Sequence, residues 1–130
     1  MSLSLRSRFY RSMLRLLLRD RKQSLARLRA GGGMPALPSA MLPRGTTVAP
    51  VDANGVTAEW VVPASAIPDT AILHLHGGGY VSGSPGLERL LTSGLAHAAH
   101  ARVLVPDYRL APEHPYPAAL DDADAAYRFL

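Results

Sequence analysis

An α/β fold is predicted for this 130-residue chain, and three observations predict it. From Thr70 onward, short apolar β-prone runs alternate with helical patterns, the order that packs helices against a mostly parallel, doubly wound sheet. The runs at 71–75 and 102–106 are almost continuously apolar, as strands covered on both faces are. Ahead of them, Asn54-Gly55 separates two further β-prone runs, a strong hairpin signal.

The elements follow in chain order. Tyr10, Met13, Leu14, Leu17 and Leu18 recur at helical spacing, and Leu25 and Leu28 resume the stripe with arginines between them. One or two amphipathic helices ending at Gly31-Gly32-Gly33 are expected. Residues 31–45, with Pro35, Pro38 and Pro43, form a connector. Strands are predicted at 46–51 and 56–62, a loop at 64–69 and a strand at 71–75. A helix is predicted over 87–100, with Leu90, Leu91, Gly94, Leu95 and Ala98 on one side. The strand at 102–106 ends on its proline. Pro117 opens a last helix over 118–130, with Leu120, Ala123, Tyr127 and Leu130 in register. The division that results is a helical arm and linker at 1–45 and an incomplete α/β domain at 46–130.

Composition removes several functions. Hydrophobic residues make up 48% and charged residues 18%, a globular balance. The absence of cysteine excludes a disulfide framework, a thiolate metal site and a Cys nucleophile. No apolar run approaches the roughly 18 residues of a membrane-spanning helix. The net charge of +4 conceals an asymmetry, because residues 1–30 hold nine basic side chains against Asp20 alone. The positive charge therefore belongs to an arm, and no nucleic-acid partner is expected. The arm also has the composition of a transit peptide or a membrane-surface helix. A helix packed on the main domain is favoured over membrane contact. Arginines interrupt every candidate core of a secretory signal, and a cytoplasmic location is expected.

The chemistry lies in two loops. His76-Gly77-Gly78-Gly79 directly follows the 71–75 run. At this composition the chance of meeting that tetrapeptide is about 0.003. Glycines at a strand end let the backbone turn sharply and bring N–H groups close to a ligand. Two such groups aimed at one point stabilise the oxyanion of acyl transfer. The alternatives are a plain tight turn and a phosphate-cradling loop. A phosphate loop needs a lysine or a G-x-G-x-x-G spacing, and the chain has no lysine beyond Lys22. The second loop, at 107–122, carries Asp107, Arg109, Glu113 and His114 among three prolines.

Together with His-Gly-Gly-Gly-Tyr at 76–80, the stretch Asp107-Tyr108-Arg109-Leu110-Ala111-Pro112-Glu113 closely resembles the hormone-sensitive lipase family of α/β-hydrolases. The resemblance is strong over 70–130 and looser back through 56–62. It implies the N-terminal part of an α/β-hydrolase fold, preceded by amphipathic cap helices at 1–30. It also implies a carboxylic-ester hydrolase, an esterase or lipase, with lactone hydrolysis as a variant. The N–H groups of Gly78 and Gly79 would form the oxyanion hole, His76 would brace the loop, and Tyr80 would shape the acyl pocket. Asp107, Arg109 and Glu113 would be ion-pair partners that fix their loop. Leu87-Glu88 departs from the Thr-His or Ser-His that many members carry there, a position that helps hold the oxyanion loop in some of them.

The family's Ser, Asp and His triad has no counterpart, because no serine lies in a G-x-S-x-G context. The chain is therefore expected to represent the oxyanion half of a serine esterase, inactive alone, with a small ester or lactone as the substrate of the whole enzyme. A non-catalytic ligand-binding remnant and a non-functional truncated product are the competing readings. Self-association through an open sheet edge is a further expectation. No metal or cofactor is expected. His74 reads as a satisfied core histidine, His97 and His100 lack a carboxylate companion, and Asp121, Asp122 and Asp124 suit the first turns of a helix.

Overall fold

The computed structural model describes Arg29 and residues 41–130. The predicted arm helices and most of the connector lie outside the described residues.

Strand β1 (Thr46–Ala53) and strand β2 (Val56–Pro63) form the expected hairpin, β1 running two residues further into the turn and β2 one residue further at its far end than the sequence suggests. Asn54 and Gly55 take φ of 56° and 87°, the two positive values a two-residue hairpin loop of this kind requires. Asp52 Oδ1 accepts the Gly55 N–H at 2.8 Å and closes the turn. Strand β3 (Ala71–Leu73) is shorter than predicted, although the His74 N–H still donates to Leu104 O at 2.9 Å. Helix α1 (Pro85–Ala99) leads to strand β4 (Arg102–Pro106), and helix α2 (Ala118–Phe129) follows.

The sheet order is β1-β2-β4-β3. Parallel pairing joins β3 to β4, as the β3–α1–β4 crossover demands, whereas β1–β2 and β2–β4 pair antiparallel. The described sheet is therefore mixed, with parallel strands only on its β3 side. The core lies on both of its faces. Val103 and Val105 of β4 pack with Val61 and with Ala96 of α1, while Leu104 packs with Ala53, Ala58 and Ala126 of α2. Because successive side chains of a strand alternate, α1 and α2 cover opposite faces.

Both helices form where periodicity places them, but they turn different sides to the sheet. In α1 the buried residues are Pro85, Thr92, Ser93 and Ala96, and Leu90 and Leu91 are exposed. In α2 the buried residues are Asp122 and Ala126, while Leu120, Tyr127 and Leu130 are exposed. Small side chains let a helix lie close to the strands. Their polar atoms cost little because each is satisfied: the Thr92 hydroxyl donates to Glu88 O, the Ser93 hydroxyl donates to Arg89 O, and Asp122 accepts from Arg109.

Candidate functional site

The glycine loop leaves the C-terminal end of β3 and runs into α1. Gly78, Gly79, Tyr80 and Gly83 all adopt positive φ, at 132°, 62°, 64° and 98°. A Cβ on Gly78 would fall 2.0 Å from Ser82 O, and one on Gly83 would fall 2.1 Å from Gly77 O. Both positions therefore require glycine for space as well as for backbone conformation. Tyr80 holds the left-handed conformation without that freedom, a cost of about 1–2 kcal/mol that the surrounding contacts must offset.

Those contacts fall on carbonyls. Gly78 O accepts the Ser82 hydroxyl at 3.0 Å and the Ser82 and Val81 N–H groups at 3.2 and 3.3 Å. Gly77 O lies 3.0 Å from His76 Nδ1. A trans peptide sets its N–H opposite its carbonyl, so tying down the carbonyls of Gly77 and Gly78 turns the N–H groups of Gly78 and Gly79 the other way. Neither of those N–H groups has a protein acceptor among the described residues.

His76 is buried beneath the loop, its ring stacked on Tyr108 at 4.1 Å and nearly parallel. The Tyr108 hydroxyl donates to His76 O at 2.6 Å. Burial, then Tyr80 and Glu88, push the Tyr108 phenol up, so it remains a donor. Glu88, in the first turn of α1, reaches back to the loop: Oε1 accepts the Gly77 N–H at 3.0 Å and Oε2 lies 2.5 Å from His74 Nε2. Burial works to raise the Glu88 carboxyl, but the His74 and Gly77 hydrogen bonds outweigh it and hold the group low.

The loop after β4 forms the facing wall. Arg109 grips Asp122 with Nε at 3.0 Å and Nη2 at 2.7 Å, and its backbone N–H adds a bond at 2.8 Å. The Ala111 N–H donates to Tyr80 O at 2.8 Å and stitches the two loops together. Arg29 closes the same seam, donating to Val81 O at 3.1 Å, to Ala111 O at 2.9 Å and to both oxygens of Glu113. That pairing holds the Glu113 carboxyl down at about 2.

Between the walls lies an open cleft of about 560 Å³, lined by the glycine loop, Leu75, Tyr108, Tyr116, Leu120 and Ala123. The outward stripe of α2 thus supplies part of an apolar wall. Among the described residues no carboxylate, lysine or arginine lines the cleft.

The structure brings His76, Gly78, Gly79 and Tyr80 together at this cleft. Arg109 and Glu113 are ion-paired, whereas the exposed Asp107 side chain has no ion-pair partner among the described residues. Asp122 is the Arg109 partner and Asp124 pairs with Arg128 at 2.8 Å, which leaves Asp121 alone in the first-turn role predicted for all three. His74 is satisfied by Glu88, His97 lies 2.9 Å from the Thr46 hydroxyl, and His100 lies 3.1 Å from the Ser65 hydroxyl. Among the described residues no cluster of potential metal ligands forms. Sequence reasoning missed Gly83 as a support of the loop and left the part played by Glu88 open. The family pattern made Glu88 look like a departure, and Gly83 has no local signal beyond being glycine.

Known proteins share this arrangement. A family profile described as the alpha/beta hydrolase fold matches residues 72–130. An acetyl-hydrolase of Streptomyces hygroscopicus is 55% identical over 74 residues, which are 57% of this chain and 24% of that protein. An esterase of Acinetobacter venetianus is 38% identical over 92 residues, 69% of this chain and 30% of the esterase. The crystal structure of an esterase from the bacterial hormone-sensitive lipase family superposes with a TM-score of 0.75 at 38% identity, over 100% of this chain and 43% of that one. The chain thus spans about a quarter to a third of these curated relatives.

Proposed function

The chain belongs to the hormone-sensitive-lipase type of α/β-hydrolases, and from that premise we propose that it supplies the oxyanion-stabilising part of a serine-type carboxylic-ester hydrolase. One observation carries the reading: the carbonyls of Gly77 and Gly78 are tied down, which frees the Gly78 and Gly79 N–H groups on the wall of an apolar cleft. Donors held in place before reaction stabilise charge that develops on a carbonyl oxygen, and one such donor is worth about 3–4 kcal/mol of barrier. His76 braces the loop from below and takes no proton from substrate. A cleft whose described lining is mostly apolar suits small, neutral esters.

Topology indicates where a nucleophile would stand. The β3–α1–β4 crossover moves along the sheet with α1 on one face. A crossover through α2, on the other face, keeps the same hand only by moving back past β3. A parallel strand following α2 would pair with the open edge of β3, and the turn at its C-terminal end would face the glycine loop. That crevice, where strand order reverses, is where open α/β sheets bind ligands.

The test has two arms. Because no serine here sits in a G-x-S-x-G turn, the 130-residue chain alone should hydrolyse p-nitrophenyl butyrate at the buffer rate and take up no fluorophosphonate label. The same ester should nevertheless shift the amide resonances of Gly78, Gly79 and Leu120. An unshifted loop at saturating ester, or labelling of any serine, overturns the proposal.

A further inference from the structure

We propose that Arg29 is a positioning residue for the Gly79 amide, an inference that rests on the ester-hydrolase reading. Its exposed ion pair with Glu113 contributes little by itself. The same guanidinium, however, donates to a main-chain carbonyl on each loop, to Val81 O through Nε at 3.1 Å and to Ala111 O through Nη2 at 2.9 Å. Glu113 takes Nη1 at 2.8 Å and shares Nη2, which aims the fork at both carbonyls.

Each carbonyl leads inward to the glycine run. Val81 O belongs to the peptide unit whose N–H, on Ser82, donates to Gly78 O at 3.2 Å. Gly78 O in turn belongs to the peptide unit whose N–H is that of Gly79. Both units are trans, so in each the N–H points away from the carbonyl. One chain of hydrogen bonds thus runs from Arg29 Nε through the 81–82 and 78–79 peptides to the Gly79 N–H on the cleft wall. A second chain converges on the same oxygen. Arg29 holds Ala111 by its carbonyl, the Ala111 N–H donates to Tyr80 O at 2.8 Å, and the Val81 N–H of that peptide donates to Gly78 O at 3.3 Å. A cation at the head of hydrogen-bonded peptides polarises each in turn, which makes the Gly79 N–H a stronger donor. The Gly78 N–H stands outside both chains, because the carbonyl of its peptide is held by His76 Nδ1. Arg29 therefore acts on one of the two oxyanion donors and leaves the other to His76.

Arg29→Ala and Arg29→Lys test this in the full 130-residue chain, since lysine keeps the charge but loses the planar fork. In Arg29→Ala, exchange of the Val81 and Ser82 amides should quicken by about tenfold, the scale of one lost charge-assisted hydrogen bond, while the β1–β2 hairpin amides stay unchanged. The Gly79 amide proton should move upfield while that of Gly78 stays, a selectivity that general loosening of the loop does not produce. Arg29→Lys should fall between the parent and the alanine variant in both readouts. Unchanged exchange at Val81 and Ser82, or Gly78 and Gly79 moving together, overturns the proposal. Binding of p-nitrophenyl butyrate is read separately. A Gly79 amide that obeys Arg29 yet ignores the ester retains the hydrogen-bond chain and removes the ester reading.

Discussion

The centre of the sheet and the seam between the two loops are held by different physics. At the centre, Val61, Val103, Leu104 and Val105 are fully buried, and non-directional packing on both faces fixes them. At the seam, four residues at positive φ are kept in place by directional bonds from His76, Ser82, Tyr108, Ala111 and Glu88. Packing tolerates a change of shape at constant volume. The seam tolerates changes of volume at its rim but almost no added atom at Gly78 or Gly83. Stability is thus concentrated in the strands, and the amides that matter for chemistry are concentrated where stability must be supplied bond by bond.

The sharpest break of this contrast is Leu104→Ala. Leu104 pairs across to Trp60 and Leu73 and packs beneath α2, so a cavity there opens the core of the α2 face at the centre of the sheet. A loss of about 3–5 kcal/mol is expected in urea unfolding, felt by hairpin and loop amides alike. Gly83→Ala should cost less, about 2–3 kcal/mol, through strain at φ +98° and collision with Gly77 O. Its signature should be local: fast exchange at 76–83 with hairpin protection intact. Global unfolding in that variant would mean that the loop is part of the cooperative core and that the contrast is false.

How much of this was legible in the sequence follows the same division. Asn54-Gly55 announced its hairpin because the turn chemistry is local, and the buried run at 102–106 announced its strand. Periodicity located both helices, yet most of the stripe it chose, Leu90, Leu91 and Leu120 among it, points away from the sheet, while Leu95 packs on the core. Which face docks depends on how closely small side chains let a helix approach, and that is settled only when sheet and helix meet. His76-Gly77-Gly78-Gly79 was visible because a glycine run is rare. The supports from Gly83 and Asp122 were hidden because each acts across 6 or 13 residues of sequence through a contact that exists only in the folded chain.

Acid should produce the smallest effect and discriminate most finely. Glu88, Glu113 and Asp122 are all held below their ordinary values, Glu113 at about 2. A carboxyl lowered by folding stabilises the fold above its unfolded value, near 4, and loses that contribution as pH falls through its folded value. These three groups lie on the loops or facing them, whereas the one buried carboxylate of the described strands, Glu59 of β2, is paired with Arg89 of α1. Between roughly pH 4.5 and 2, amide exchange at 76–80 and 109–113 should therefore quicken while the strands remain protected. Because Glu113 and its Arg29 partner are solvent-exposed, high salt should reduce their share of the effect without altering that of the more enclosed Glu88. Strand amides that open together with the loops on acidification would show that the seam and the sheet share one source of stability.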